Sequence, residues 1–140
     1  MSAQHWAMQY LGKPWASGAQ GPDAFDCWSL VRHVQLKEFN RELPIIMVDG
    51  LDSSAIINTF KTHNEYANWQ QVQAPEEGDC VITKSSPNRP EHVGVWVNVD
   101  GGRILQAVYG SGVVLVSLRA TRKLIGQHLE YWRYAAGGVA

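Results

Sequence analysis

Cysteines are few in this sequence, which also has no long apolar run and no excess of charge of either sign. Cys27 and Cys80 are the only cysteines among 140 residues, which excludes a framework of disulfides and favours a reduced protein made in the cytoplasm. Twelve Lys and Arg are scattered and nearly balance thirteen Asp and Glu, so we expect no nucleic-acid partner. The apolar runs are too short to span a bilayer, and residues 1–12 lack the basic start and apolar core of a signal peptide. We therefore expect no membrane span and no cleaved leader.

What the sequence does contain is typical of one globular domain, which we expect to occupy residues 1–140. Apolar residues make up 45% of the chain and charged residues 18%, a balance that supports one compact core. Six Trp and five Tyr are a high aromatic load for this length. These rings serve either the core or a groove for a sugar or a peptide.

The first part of the chain has the patterns of helices and loops. Apolar residues at helical spacing predict a first helix over 2–11, followed by a loop over 12–23 that is dense in Gly, Pro and Ser. A second helix is predicted to begin at Cys27, because apolar residues recur from there at i, i+3, i+4 and i+7. Asp26, a good N-cap residue, stands directly before it.

The second part changes from helical to strand patterns. One more helix is predicted after Asp52 or Ser53 and ends by His63, and 64–73 carries no clear pattern. From Gly78 onward, short runs rich in β-branched residues are separated by turn residues; they are CVIT, VGVWVNV, ILQAV, VVLVSL and a last strand YWRYA, with a short helical turn within 119–128. Helices first and strands second indicate the α+β class, with helices packed on an antiparallel sheet or small open barrel.

Cys27 occupies a position that suits a nucleophile. The first turn of a helix presents unpaired N–H groups and the positive end of the helix dipole, which lower a thiol pKa and can hold an oxyanion. Cys80 lies in a predicted strand without an activating partner and reads as a core residue. We therefore predict that Cys27 is an activated nucleophile.

A thiol nucleophile needs a base, and histidine is the usual choice near neutral pH. His92 stands at the start of the VGVWVNV strand, just after a Pro-flanked loop, where a side chain can face the start of a neighbouring helix. The other histidines lie on predicted helices or in polar connections and read as surface residues; they are His5, His33, His63 and His128. His92 is therefore the predicted base.

The motifs around these two residues carry a family resemblance. YLGKPW, GAQGPDAFDCWSLV, EEGDCVIT and EHVGVWV occur in an order that resembles the NlpC/P60 family of papain-like cysteine peptidases, over Tyr10 to about Leu118. The resemblance implies a papain-like fold with Cys27 as nucleophile and His92 as base. It further implies hydrolysis of an amide bond in peptidoglycan stem peptides, for example the γ-D-glutamyl bond to the diamino acid. Trp28 after the nucleophile is similar to the phage and prophage branch, which implies a tail-associated enzyme and tail proteins as partners.

The resemblance also implies a third polar residue that orients the imidazole. ILQA stands where the family often has a sequence like MIHA, which makes Gln106 the candidate. A hairpin tip at 100–102 would pair Val99 with Arg103, so that His92 pairs with Gly110. Gln106 would then share a face with His92 but lie roughly 13 Å along the strand, at ~3.3 Å per residue. Contact between the two requires a bulge or a shifted tip.

Three residues near the nucleophile match family positions that hold the free amino end of the stem peptide or line the same subsite. The resemblance implies that Trp15 and Asp26 hold the amino end and that Trp28 lines the same subsite. Asp26 is free to serve as helix cap as well. Trp15 replaces the more usual Tyr, Trp28 replaces a small Ser, and Ser29 replaces a Gly. These changes keep a second interpretation open, in which the same triad serves an amidase, deamidase or acyltransferase.

A third interpretation is a non-catalytic tail-assembly module that keeps the fold. No cofactor is expected, because neither metal-binding spacing nor a phosphate loop is present in the sequence. We expect the protein to be made in the cytoplasm and to reach a virion or its tail.

Overall fold

The computed structural model describes residues 5–49 and 51–135, and these form a mixed α+β fold, which confirms the predicted class. The described fold contains three α-helices and six strands, besides two short 3-10 helices: α1 (Cys27–Phe39), α2 (Ser53–Thr62), α3 (Leu118–Leu124), β1 (Trp69–Val72), β2 (Cys80–Lys84), β3 (Pro90–Val97), β4 (Arg103–Val108), β5 (Gly112–Val116) and β6 (His128–Tyr134). No helix in this described part is long and apolar enough to cross a membrane.

Helix α1 begins where the sequence predicts, because Asp26 and Ser29 form a reciprocal cap. The Ser29 backbone N–H donates to Asp26 Oδ1, and the Asp26 backbone N–H donates to Ser29 Oγ, each at 2.9 Å. This satisfies two N–H groups that a helix start otherwise leaves unpaired. The helix ends at Asn40, which adopts the left-handed conformation at φ 54°.

The six strands form one open sheet in the order β1-β6-β2-β3-β4-β5, and every adjacent pair is antiparallel. The buried apolar face of α1 packs against β3 and β4, where the main core lies; its fully buried members include Leu30, Val31, Val34, Val95 and Leu105. A smaller cluster of Val81, Trp96 and Ile104 fills the opposite face of the sheet. The start of α1 is thereby held over the middle strands.

Near the amino terminus the structure is less helical than predicted. Only Trp6–Tyr10 is helical and it is a 3-10 helix, while residues 1–4 lie outside the described part. His5 begins this turn by accepting the Ala7 N–H on Nδ1, and Leu11 ends it in an extended conformation. The unassigned 64–73 segment forms a second 3-10 helix, Asn64–Asn68, and strand β1.

The β3–β4 hairpin has a longer tip than the sequence predicted. Val97 pairs with Arg103, so the tip spans 98–102 instead of 100–102, and the predicted pairing of Val99 with Arg103 is wrong. The reason is local, because the Val99 N–H donates back to Val97 O and the Gly102 N–H donates to Val99 O. The register moves by two residues, which keeps every side chain on its predicted face.

Candidate active site

A cleft of about 370 Å³ opens between the start of α1, the middle strands and the end of α3. Its walls include five of the six predicted site residues: Trp15, Asp26, Cys27, Trp28 and His92. The sixth predicted residue, Gln106, is fully buried and lies outside the cleft wall. The fold therefore brings five of the predicted residues, from three separate segments of the chain, into one cleft.

Cys27 is the first residue of α1, and its thiol lies among backbone N–H groups. Those of Cys27, Trp28 and Val93 hydrogen-bond to the sulfur and lower its pKa. Burial acts in the opposite direction and outweighs them, with a further contribution from the Asp26 charge, and raises the pKa of Cys27 to about 12. The predicted lowering of this thiol pKa is therefore wrong for the free protein, because desolvation exceeds the effect of the helix start.

His92 lies on β3 opposite Thr83 of β2 and is 9% exposed. Burial lowers the pKa of its imidazole from 6.5 to about 4, against a smaller raising effect from the Gln106 side chain. Thiol and imidazole are therefore both neutral at pH 7. Among the residues that the structure describes, no hydrogen bond joins the Cys27 thiol to the His92 ring. The backbone N–H of Val93, the residue directly after His92, does reach the Cys27 sulfur.

Gln106 lies two residues closer to His92 than the predicted register allowed. Continuing the pairing of Val95 with Leu105 by one step sets Gln106 opposite Gly94. A Cβ atom at Gly94 would lie 3.1 Å from the Gln106 Cβ and 2.8 Å from the Leu105 carbonyl oxygen, so the missing side chain leaves room for the amide. Gln106 thus lies beside the imidazole without the β-bulge that the predicted register would have required.

Asp26 has a structural role that both of its carboxylate oxygens share. Oδ1 accepts the Ser29 N–H that caps α1, and Oδ2 accepts the Gly18 N–H at 3.1 Å. Asp26 is 9% exposed and still lines the cleft. Its charge therefore reaches the cleft even though its oxygens are occupied.

The two tryptophans each form part of the cleft wall. Trp15 packs edge-on against Tyr109 at 5.1 Å between ring centroids, and Trp28 donates from Nε1 to the Pro44 carbonyl at 2.9 Å. Both rings are thus held in place before a ligand arrives. Ser29, in contrast, is buried in the helix cap and does not line the cleft.

Much of the remaining wall comes from residues that the sequence argument did not select. They are mostly apolar and include Ile46, Val48, Ile56, Tyr109, Leu124 and Ile125, together with His63 and Glu91. The sequence gives one sign of this wall, the apolar run in ELPIIM. Those residues belong to no strand, so their apolar character is not explained by a place in the sheet. Cys80 also lines the cleft, and burial raises its pKa.

The charged side chains that the structure describes around the cleft are all acidic. Asp26, Glu65 and Glu91 line it, whereas no Lys or Arg among the described side chains does. Glu65 accepts hydrogen bonds from Asn68 and Trp69, and the Glu91 side chain makes no hydrogen bond within the described part of the chain. Within the described ranges, no three His, Cys, Asp or Glu side chains cluster to hold a metal ion.

Comparison with known proteins gives a family model and several solved structures. The model of the NlpC/P60 family matches residues 12–132. The NlpC/p60 domain of the peptidoglycan hydrolase SagA is 23% identical with a TM-score of 0.52, over 81% of this chain and 85% of that one. An NLP/P60 family protein similar to a lipoprotein, from Staphylococcus aureus, is 22% identical with a TM-score of 0.56, over 92% of this chain and 39% of that one.

A third structure, an N-acetylmuramoyl-L-alanine amidase from Bacteroides uniformis, is 15% identical with a TM-score of 0.50, over 92% of this chain and 97% of that one. At these identities the structural likeness shows the fold alone. No curated protein sequence matches the chain.

Proposed function

The chain belongs to the NlpC/P60 family, and from this we propose that it is a cysteine peptidase that hydrolyses an amide bond in peptidoglycan stem peptides. The observation that carries the proposal is the cleft itself, which both Cys27 at the helix start and His92 on β3 line. The neighbours support the substrate class, since SagA is a peptidoglycan hydrolase and the Bacteroides protein is an N-acetylmuramoyl-L-alanine amidase.

The proposed reaction begins from a neutral thiol and a neutral imidazole. As the Cys27 sulfur attacks the substrate carbonyl, His92 takes the thiol proton, so no free thiolate accumulates beforehand. The N–H groups that surround the sulfur then hold the negative oxygen of the tetrahedral intermediate. His92 returns the proton to the leaving amine, and water attacks the thioester with His92 again as base.

Asp26 and Trp15 are the proposed binding groups for the amino end of the stem peptide. A carboxylate with no basic side chain beside it in the described cleft attracts an ammonium group, and an aromatic face next to it adds cation–π attraction. We propose the γ-D-glutamyl bond as the bond that is cut.

Digestion of purified peptidoglycan by three proteins tests this function. Cys27→Ala should release no peptides, whereas wild type and the matched variant Cys80→Ala, which removes the other thiol in the cleft, should release the same ones. Mass spectrometry of the products identifies the bond. Equal digestion by Cys27→Ala, or no release by wild type, would reject the proposal.

A second candidate keeps the same chemistry on another substrate, as an amidase, deamidase or acyltransferase. The cleft favours it in one respect, because its apolar walls and its lack of Lys or Arg among the described side chains suit an apolar acyl group better than a carboxylate-rich peptide. Competition between muropeptides and uncharged N-acyl amides separates the two. Preferential turnover of the uncharged amides would favour the second candidate.

The phage context is a further proposal, which rests on Trp28 after the nucleophile and on no finding from the structure. It places the protein with tail components, as an enzyme or as a non-catalytic module. Immunodetection in purified virions tests the location. Thiol labelling does not separate enzyme from module, because burial raises the pKa of both Cys27 and Cys80; the Cys27→Ala digestion does.

A further inference from the structure

A chain of buried polar groups runs from α3 to the imidazole of His92. Thr121, in the first turn of α3, donates from Oγ1 to the Ser117 carbonyl at 2.9 Å. Gln106 on β4 donates from Nε2 to Thr121 Oγ1 at 3.0 Å. Thr121 and Gln106 are both fully buried, so water does not compete for these groups. The family resemblance selected Gln106 but gave no role to Thr121.

The first two links fix which way the Gln106 amide points. A carbonyl oxygen only accepts, so the single hydroxyl hydrogen of Thr121 is used on Ser117. Thr121 Oγ1 can then only accept from Gln106, which requires the NH₂ group of the amide to face α3. The amide oxygen Oε1 must therefore lie on the opposite side, toward β3.

On that side, Gln106 Oε1 and His92 Nε2 are two polar atoms still without a partner among the described residues. Both atoms are buried, and the Gln106 side chain is near enough to the ring to act on it. Buried polar atoms are rarely left unpaired in proteins, so two such atoms on neighbouring strands are expected to pair. An amide oxygen can only accept, which requires the hydrogen of the neutral ring to be on Nε2.

We propose that Thr121 is a positioning residue that acts through Gln106 to hold the neutral His92 ring as the Nε2–H tautomer, which leaves Nδ1 as the basic nitrogen. This inference rests on the proposed function only where it assigns His92 Nδ1 as the base in the reaction. The tautomer itself is a property of the free protein. Its test therefore needs no substrate.

The tautomer can be read from ¹⁵N chemical shifts of the histidine ring in uniformly labelled protein at pH 7, with His92 assigned by difference from His92→Gln. In wild type we expect Nε2 to carry the proton and Nδ1 to have the shift of an unprotonated nitrogen. Nδ1–H in wild type would overturn the proposal and would point instead to Thr83, whose buried hydroxyl on the opposite strand also lacks a partner among the described residues and could donate to Nε2.

Two variants test the part played by Thr121. Thr121→Val removes the acceptor but keeps the shape, and we expect a mixture of tautomers and a kcat about tenfold lower on the substrate identified by digestion. Thr121→Ser keeps the hydroxyl and should restore wild-type shifts and a kcat within about twofold. A single Nε2–H tautomer in folded Thr121→Val would overturn the proposal.

The wild-type spectrum decides the tautomer even if Thr121→Val does not fold, and in that case Thr121→Ser must still show Nε2–H. A protein that shows the expected tautomers but digests no peptidoglycan would reject the proposed function and leave this inference standing. A protein that digests peptidoglycan but carries the ring hydrogen on Nδ1 would overturn this inference and leave the proposed function standing.

Discussion

Gly94 is the residue where a small change should separate fold from function most clearly. Replacing it with Ala adds one methyl group between β3 and β4, where Ile104 Cγ2 would lie at 2.7 Å, the Leu105 carbonyl oxygen at 2.8 Å and Gln106 Cβ at 3.1 Å. The carbonyl belongs to the backbone and cannot rotate away. The strands must therefore separate locally, and Gln106 must move relative to His92.

The magnitude follows from these contacts. Overpacking by one methyl group typically costs about 1–3 kcal/mol, which corresponds to roughly 3–10 °C in Tm for a domain of this size. A displaced Gln106 no longer holds the imidazole, and a misplacement on the order of 1 Å can reduce kcat by up to roughly 100-fold. We expect Gly94→Ala to lower kcat by about tenfold or more at a temperature where the variant remains folded.

Calorimetry and peptide release at 25 °C, well below Tm, measure the two effects on one preparation. Gly101→Ala is the matched control in the same hairpin, since an added Cβ there meets nothing within 4 Å but a φ of +83° strains any L-residue. It should lose about 1 kcal/mol of stability and keep wild-type kcat. Equal loss of kcat in both variants, or none in Gly94→Ala, would show that catalysis does not depend on the position of Gln106 opposite Gly94.

Three further predictions concern the charges of the site. Because burial lowers the pKa of His92 from 6.5 to about 4, the unfolded chain binds more protons between these values, so about 3 kcal/mol of stability present above pH 6.5 should be lost as the pH falls to 4. Urea unfolding of wild type and His92→Gln measures this, and the two should diverge over that range; parallel curves would contradict it. Asp26→Asn should keep the helix cap, whereas Asp26→Ala should lose about 1 kcal/mol of stability. Both variants should raise KM for peptides with a free amine, and an unchanged KM would mean that Asp26 serves only as a helix cap. In Cys80→Ala, alkylation of Cys27 by iodoacetamide should be slow at pH 7 and still rise above pH 9, because burial raises the pKa of Cys27 to about 12, whereas a rate that levels off below pH 8 would contradict it.

Local patterns in the sequence were sufficient for the elements that carry the site. Asp26 before an apolar 3–4 repeat predicts the start of α1, and β-branched runs between turn residues predict β2 to β6, because caps and periodicity act over a few residues. The same patterns predicted that His92 and Gln106 share a face. A register error of two residues left that face unchanged, since side chains alternate with a period of two.

Neighbours along the chain thus suffice to predict the fold class, the start of α1 at Cys27 and the strand that carries His92. The packed structure was needed to show that Gln106 lies opposite Gly94, that it donates to Thr121, and that burial outweighs the helix start at the Cys27 thiol. Each of these depends on groups distant in sequence that pack together, and hydrogen-bond partners and desolvation are properties of that packing.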